Sequence, residues 1–171
     1  MSPIIPMRRK RQALDEGTCT SVLERGTAGV LALNDPTEGT PYQVPLSYAY
    51  HDGRLVFHGA TSGHKLDLLK IDERASFTVI DQDKIVPEEY TTYFRSVICT
   101  GRLRIVQEPE EKRKLLMILG DRYWPGHDDD AAAAIGKSLD HMTVLVLDVE
   151  HISGKEAIEL VRQREKNLER Q

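Results

Sequence analysis

The sequence predicts a mainly β fold with peripheral helices, built as an antiparallel barrel or sheet. Three observations carry this. Tyr42, Val44, Leu46, Tyr48 and Tyr50 alternate with other residues along Tyr42 to His51, which is strand periodicity. Asp52-Gly53 follows at once, a strong hairpin signal, and Arg54 to Gly59 is the return strand. The remaining strands are mostly hairpin-linked, with few helices between them, which disfavours a doubly wound α/β fold.

The other elements follow in order. Asp15 to Arg25 reads as a short helix stopped by Gly26. Thr27 to Leu33 is a strand of small residues, and Asn34 to Pro41 a turn-rich loop. Ser62 to Ile71 changes to helical spacing, and Ala75 to Ile80 returns to a strand. Asp81 to Glu89 is polar and contains Pro87. Thr91 to Gln107 is a long β segment with a bend expected at Gly101. Pro109 to Tyr123 forms a charged amphipathic helix, ended by Trp124-Pro125-Gly126. Met142 to Glu150 is the last strand. Ser153 and Glu156 stand at capping-box spacing, which predicts a C-terminal helix over 153–171. The count is six strands in one domain over 1–171, with residues 1–12 as a flexible arm.

At 171 residues the chain is long enough to bury a real core. Its net charge of −4 weighs against a general nucleic-acid binder. No apolar run reaches the roughly 18 to 20 residues that a bilayer demands. The short apolar opening precedes Arg8-Arg9-Lys10-Arg11, the wrong order for a signal peptide, so a cytoplasmic location is expected. The basic run itself reads as an exposed arm rather than a phosphate or nucleic-acid contact. Cys19 and Cys99 lie far apart without a CxxC and read as buried thiols. His127-Asp128-Asp129-Asp130 has cation-binding residue types, but the alanines after it mark a polar loop entering a helix. No metal site is expected.

The chain lacks GxGxxG after a strand, GxxxxGK[ST] and GxSxG, so Rossmann, P-loop and serine-hydrolase chemistry are unsupported. Three stretches carry chemical interest. In Val44-Pro45-Leu46-Ser47, a proline inside a strand places the strand at an edge or bulge. Free edge backbone suits the rim of a planar heterocycle, or it is a plain edge. In Phe57 to Lys65 a strand runs through small residues into a helix start. His64 and Lys65 put positive charge in a first turn, which favours a nearby anion such as phosphate. In Tyr93 to Val97, Arg95 sits among apolar and aromatic residues and needs an anionic partner, either a ligand phosphate or a buried carboxylate.

Together and in this order, these stretches resemble the pyridoxamine 5′-phosphate oxidase-related flavoproteins, and more narrowly their nitroimidazole-resistance branch. The likeness runs through Met7 to Lys10, Gly29 to Leu33, Pro41 to Gly53, Leu55 to Lys70, Thr91 to Val106 and Ile152 to Val161. It implies a six-stranded antiparallel split barrel that dimerises around two FMN sites. By the same resemblance, Val44, Pro45, Leu46 and Ser47 line the flavin ring with backbone. Phe57, His58, Gly59 and Ala60 run beneath it. Ser62, Gly63, His64 and Lys65 hold the phosphate, and Arg95 with Ser96 reaches the cofactor. His58 matches a histidine placed beside the flavin, and His58 and Tyr93 are the proton-donor candidates.

The oxidases' basic strand motif is replaced here by Val-Pro-Leu-Ser, which argues against pyridoxal phosphate synthesis. The insert from Trp124 to Ser138 is a candidate for shaping the substrate side. The function implied is an FMN-dependent oxidoreductase acting on small molecules, with nitroaromatic reduction as the candidate reaction. A non-catalytic flavin or haem binder, with His58, His64 and His141 as haem ligands, and a deazaflavin enzyme are the alternatives. Open strand edges and apolar residues such as Tyr48 and Phe57, partly uncovered in one barrel, argue for a homodimer.

Overall fold

A computed structural model describes residues 6–170. Among these residues seven strands form one antiparallel sheet. They are β1 (Ala28–Leu33), β2 (Tyr42–Ser47), β3 (Ala49–His51), β4 (Arg54–Gly59), β5 (Arg74–Val86), β6 (Thr91–Ile105) and β7 (Thr143–Glu156). Around them lie α1 (Glu16–Arg25), α2 (His64–Leu69), α3 (Pro109–Tyr123), α4 (Asp128–Ser138) and α5 (Ile158–Leu168). The strand order is β2-β1-β5-β6-β7-β4-β3. The chain divides into two compact units, 27–78 with 99–151, and 6–26 with 79–98 and 152–170.

The larger unit contains β1 to β4 whole and the adjoining parts of β5, β6 and β7. β1 runs antiparallel to β2 and β5, and β4 to β3 and β7. β2 and β3 stand at opposite ends of the order, yet only Tyr48 separates them in sequence. Laid flat, six inter-strand steps would hold them roughly 29 Å apart. One residue spans less than about 4 Å. The sheet therefore curls until its two ends meet. Tyr48, Phe57 and Phe77 fill the interior, with ring centroids 5.0 and 5.1 Å apart. A second apolar cluster seats α3 and α4, through Leu115, Leu116, Leu119 and Ile135, on Val56, Val144 and Val146.

Local chemistry explains most elements. Asp15 caps α1 by accepting the Thr18 N–H at 2.8 Å. Glu108 does the same for α3, with Pro109 at its first position. Asp52 and Gly53 both take positive φ, the conformation of a two-residue hairpin turn. Gly101, the expected bend, lies so close to the β7 backbone at Asp148 that a side chain there would collide with it.

The structure corrects several expectations. The stretch Tyr42 to His51 is two strands, broken at Tyr48, so there are seven strands rather than six. β5, expected to end at Ile80, continues to Val86 through the polar stretch. Ser153 and Glu156 form no capping box, because β7 runs to Glu156 and α5 starts at Ile158 behind Ala157. Of the expected arm, residues 1–5 lie outside the described residues, but Lys10–Gln12 is a short 3-10 turn with Gln12 buried. Tyr48 and Phe57 are fully buried within one chain, so they give no argument for a partner.

The smaller unit is organised by ion pairs. Arg25 grips Asp81 with two hydrogen bonds of 2.6 Å. Asp81 also meets Arg95 at 3.3 Å. Arg95 reaches Glu156 at 3.1 Å, and Arg164 approaches the same carboxylate at 3.0 Å. Gln12 donates to the Glu156 carbonyl at 2.9 Å, which pins the N-terminal turn. Cys19 is buried there and Cys99 in the larger unit, and neither is in a disulfide among the described residues. Burial pushes the Cys19 thiol up, which disfavours its thiolate.

Candidate functional site

The larger unit holds an open-sided cavity of about 440 Å³. That is within the ordinary range for small-molecule sites. The end of β2 supplies Ser47 and β4 supplies His58. α3 supplies Leu116, Leu119, Gly120 and Tyr123. α4 adds Ala134, Ile135 and Ser138, and Met142 closes the wall before β7. Alternation along β4 buries Phe57 in the core and turns His58 the other way, into the opening.

β2 is an end strand, bonded to β1 alone, with Pro45 opposite Val30. An edge is where a residue without an N–H does least harm. Its exposed face carries Gln43, Pro45 and Ser47. Val44 and Leu46 are half-buried, so they would meet a ligand mainly through backbone. Phe57 is buried against Phe77, which leaves its backbone alone for any such contact.

Beyond β4 the chain reaches Gly63, whose φ of +132° favours glycine, and α2. His64 does not stand free. Its Nε2 lies 2.7 Å from Asp35 Oδ2, and its ring packs edge-on to Tyr42 at 5.0 Å. Asp35 also accepts the Thr37 and Glu38 N–H groups, and the Glu38 bond is the main cause holding its carboxyl below the usual range. The charge conflict seen at His64 is thus met by a protein carboxylate. Lys65 has no acidic partner within 4 Å among the described residues, and its ammonium lies over Gly59, 3.3 Å from where a Cβ would stand. Ser62 and Ala60 are exposed beside it.

The other candidates belong to the smaller unit. Arg95 is held by the Glu156 and Asp81 carboxylates, which is the second of its two possible partners. Ser96 is half-buried next to it on β6. The Tyr93 hydroxyl donates to Glu89 at 2.8 Å, which raises the phenol above its usual range and weakens it as an acid. His141 is exposed in the short turn before β7.

Sequence reasoning missed Tyr123, along with the α3 side of the wall. The Tyr123 hydroxyl accepts the Tyr48 N–H at 2.9 Å and faces the carbonyls of Thr27 and Tyr48 at 2.7 and 2.8 Å. It satisfies the backbone at the break between β2 and β3. An aromatic residue ending an amphipathic helix was the available signal, but nothing in the sequence tied it to Tyr48.

With this geometry in hand, comparison places the chain. The family model for pyridoxamine 5′-phosphate oxidase matches residues 15–156, and the chain belongs to that family. Solved structures share the fold. One is a candidate 5-nitroimidazole antibiotic resistance protein from Bacteroides thetaiotaomicron, at 23% identity and TM-score 0.69, covering 84% of this chain and 86% of that one. The flavocytochrome Anf3 from Azotobacter vinelandii aligns at 20% identity and TM-score 0.76, over 89% of this chain and 72% of that one. An FAD- and heme-binding protein from Mycobacterium smegmatis aligns at 24% identity and TM-score 0.73, over 86% and 73%. No match is found among curated proteins. No helix among the described residues is long and apolar enough to cross a membrane.

Proposed function

We propose that the protein is an FMN-dependent oxidoreductase that reduces small nitroaromatic compounds and works as a homodimer. One observation carries the reading. Ser47 and His58, singled out on separate strands, open on one cavity in a chain of the pyridoxamine 5′-phosphate oxidase family. The Bacteroides neighbour supports the choice of nitroaromatic substrate. The residues present suit a flavin in part. The β2 edge offers unpaired backbone, and Lys65 beside Gly59 is a cation without an acidic partner among the described residues. His64 would act through its place beside Asp35, since its Nε2 is engaged there.

A bound flavin supplies electron pairs to the substrate. The chain's own part is to seat both molecules, exclude water and manage protons. His58 projects into the cavity, where its imidazole can donate a proton to, or hold, an oxygen of the acceptor. Ser47 offers a hydroxyl on the same side. For the dimer, support comes from Ile80, Ile85, Tyr90 and Ile98, all exposed on the β5–β6 arm of the smaller unit.

A non-catalytic flavin or haem binder is the second reading, favoured by the descriptions of the Azotobacter and Mycobacterium neighbours. Purified protein should take up FMN with a flavin absorbance band and reduce a nitroaromatic once supplied with reductant. His58→Ala should keep the flavin and lose most turnover. Flavin uptake without turnover for any donor would overturn the oxidoreductase reading in favour of the binder. Full turnover by His58→Ala would remove His58 from the chemistry. Sedimentation of the flavin-loaded protein as a monomer at micromolar concentration would overturn the dimer.

A further inference from the structure

We infer that the α3–α4 cavity selects uncharged aromatic molecules over anionic ones, and that α4 sets this choice through Ala134. The inference rests on the reading of this cavity as the substrate side of the site. The wall contains no carboxylate, ammonium or guanidinium among the described residues. Its ionisable groups are His58 and Tyr123, and the Tyr123 hydroxyl is already committed to Tyr48 and Thr27. An anion entering here would face one imidazole and the neutral hydroxyls of Ser47 and Ser138, with leucine, isoleucine, methionine and alanine side chains making up most of the rest.

Nearby cations are turned elsewhere. Lys112 donates to the Leu139 carbonyl, bracing the end of α4. The Arg122 guanidinium lies 6.0 Å from the centre of the Tyr123 ring and is absent from the cavity wall. Lys137 is exposed and likewise outside the wall. Even partial removal of a charge from water against a wall without a fixed cation costs free energy, so an anion is disfavoured here relative to a neutral molecule of equal shape. The aromatic preference follows from the Tyr123 ring, the His58 imidazole and the Met142 thioether, which all make favourable contacts with a π system.

α4 is fixed closely enough to act as a gauge. A Cβ at Gly120 of α3 would stand 3.1 Å from the Ala131 Cβ, so the two helices touch. One turn on, Ala134 presents only a methyl group to the cavity and is otherwise exposed. A longer side chain there can enter the cavity without disturbing the core.

The test uses the full chain, with and without added FMN, and two probes of similar shape. These are 4-nitroanisole, which is neutral, and 4-nitrobenzoate, an anion. Calorimetry or ligand-observed NMR should show the neutral probe bound about tenfold or more tighter, the minimum that a desolvation penalty of this kind implies. Ala134→Lys should reverse the preference by bringing an ammonium into the wall, and Ala134→Leu should weaken both probes. Equal binding of the two probes by the wild type overturns the inference, as does an unchanged ratio in a folded Ala134→Lys variant. The two proposals fail separately. A chain that discriminates the probes but takes no flavin refutes only the function proposed above. A chain that reduces 4-nitroanisole while binding both probes equally refutes only this selectivity.

Discussion

Tyr123 and Tyr48 are joined at the one point where the sheet passes from its first edge strand to its last. The phenol oxygen accepts the Tyr48 N–H at 2.9 Å and lies 2.8 Å from the Tyr48 carbonyl. Tyr48 is fully buried between the two strands, and its N–H gives this hydrogen bond to the phenol. Tyr123→Phe keeps the ring and removes the oxygen. It should destabilise the fold by about 0.5 to 1.5 kcal/mol, the net contribution of the hydrogen bond removed. Chemical denaturation against the wild type measures this, and an unchanged midpoint would show that water replaces the phenol at no cost.

Arg95 decides between two roles. Held by Glu156, which is 2% exposed, and by Asp81, it is a partner of buried carboxylates. Its removal leaves Asp81 on Arg25 and Glu156 on Arg164, so the loss is that of its charge-assisted hydrogen bonds, about 1.5 to 3 kcal/mol. Arg95→Ala should therefore lower stability by that order, measured without cofactor. A variant that keeps its stability and loses only flavin affinity would return Arg95 to the ligand site.

Lys65→Glu addresses the phosphate end of the proposed flavin site. Lys65 lies over Gly59 without an acidic partner among the described residues. Reversing its charge should weaken FMN binding about tenfold or more, from the roughly 1.5 to 3 kcal/mol of a charge-assisted hydrogen bond. Fluorescence titration of FMN reads the change. Riboflavin, which has no phosphate, should be nearly unaffected, and an equal loss for both ligands would place the phosphate elsewhere.

Asp72 is expected to contribute to stability in acid. The Arg74 side chain, then the Arg74 N–H and the Asn34 amide, hold the Asp72 carboxyl far below the ordinary aspartate range. A carboxyl lowered in the folded state contributes stability above its unfolded value, near about 3.9, and loses it as pH falls toward the folded value. Melting temperature should therefore be flat near neutrality and fall below about pH 4. Asp72→Asn should melt lower at neutral pH and show a shallower acid limb. A parallel acid limb in the variant would assign the effect to other carboxylates.

Much of the fold was legible in the sequence because local rules determine it. The Asp52-Gly53 turn, the Asp15 cap and the Pro109 start each require only neighbouring residues. The misses share one cause, since each was settled by a distant partner. Tyr48 ends β2 because Tyr123, far along the chain, receives its backbone. Ser153 to Glu156 stays extended because β7 continues there, with the Leu14 N–H bonded to the Gly154 carbonyl and Arg95 and Arg164 on Glu156. In the candidate site, strand alternation accounts for His58 turning away from the buried Phe57, and the edge position of Pro45 follows from its missing N–H. The commitment of His64 to Asp35 was not readable, because it spans a loop whose path the sequence does not encode locally.

The single residue between β2 and β3 also governs where this chain can tolerate change in length. Any insertion at Tyr48 would shift one end strand against the other and turn the interior ring out of register. Between Ile105 and Thr143 the chain is under no such demand, and there it carries all of α3 and α4. Variation in length among proteins built this way should gather at that second connection. The helical wall of the cavity can then be replaced while the curled sheet beneath it stays constant.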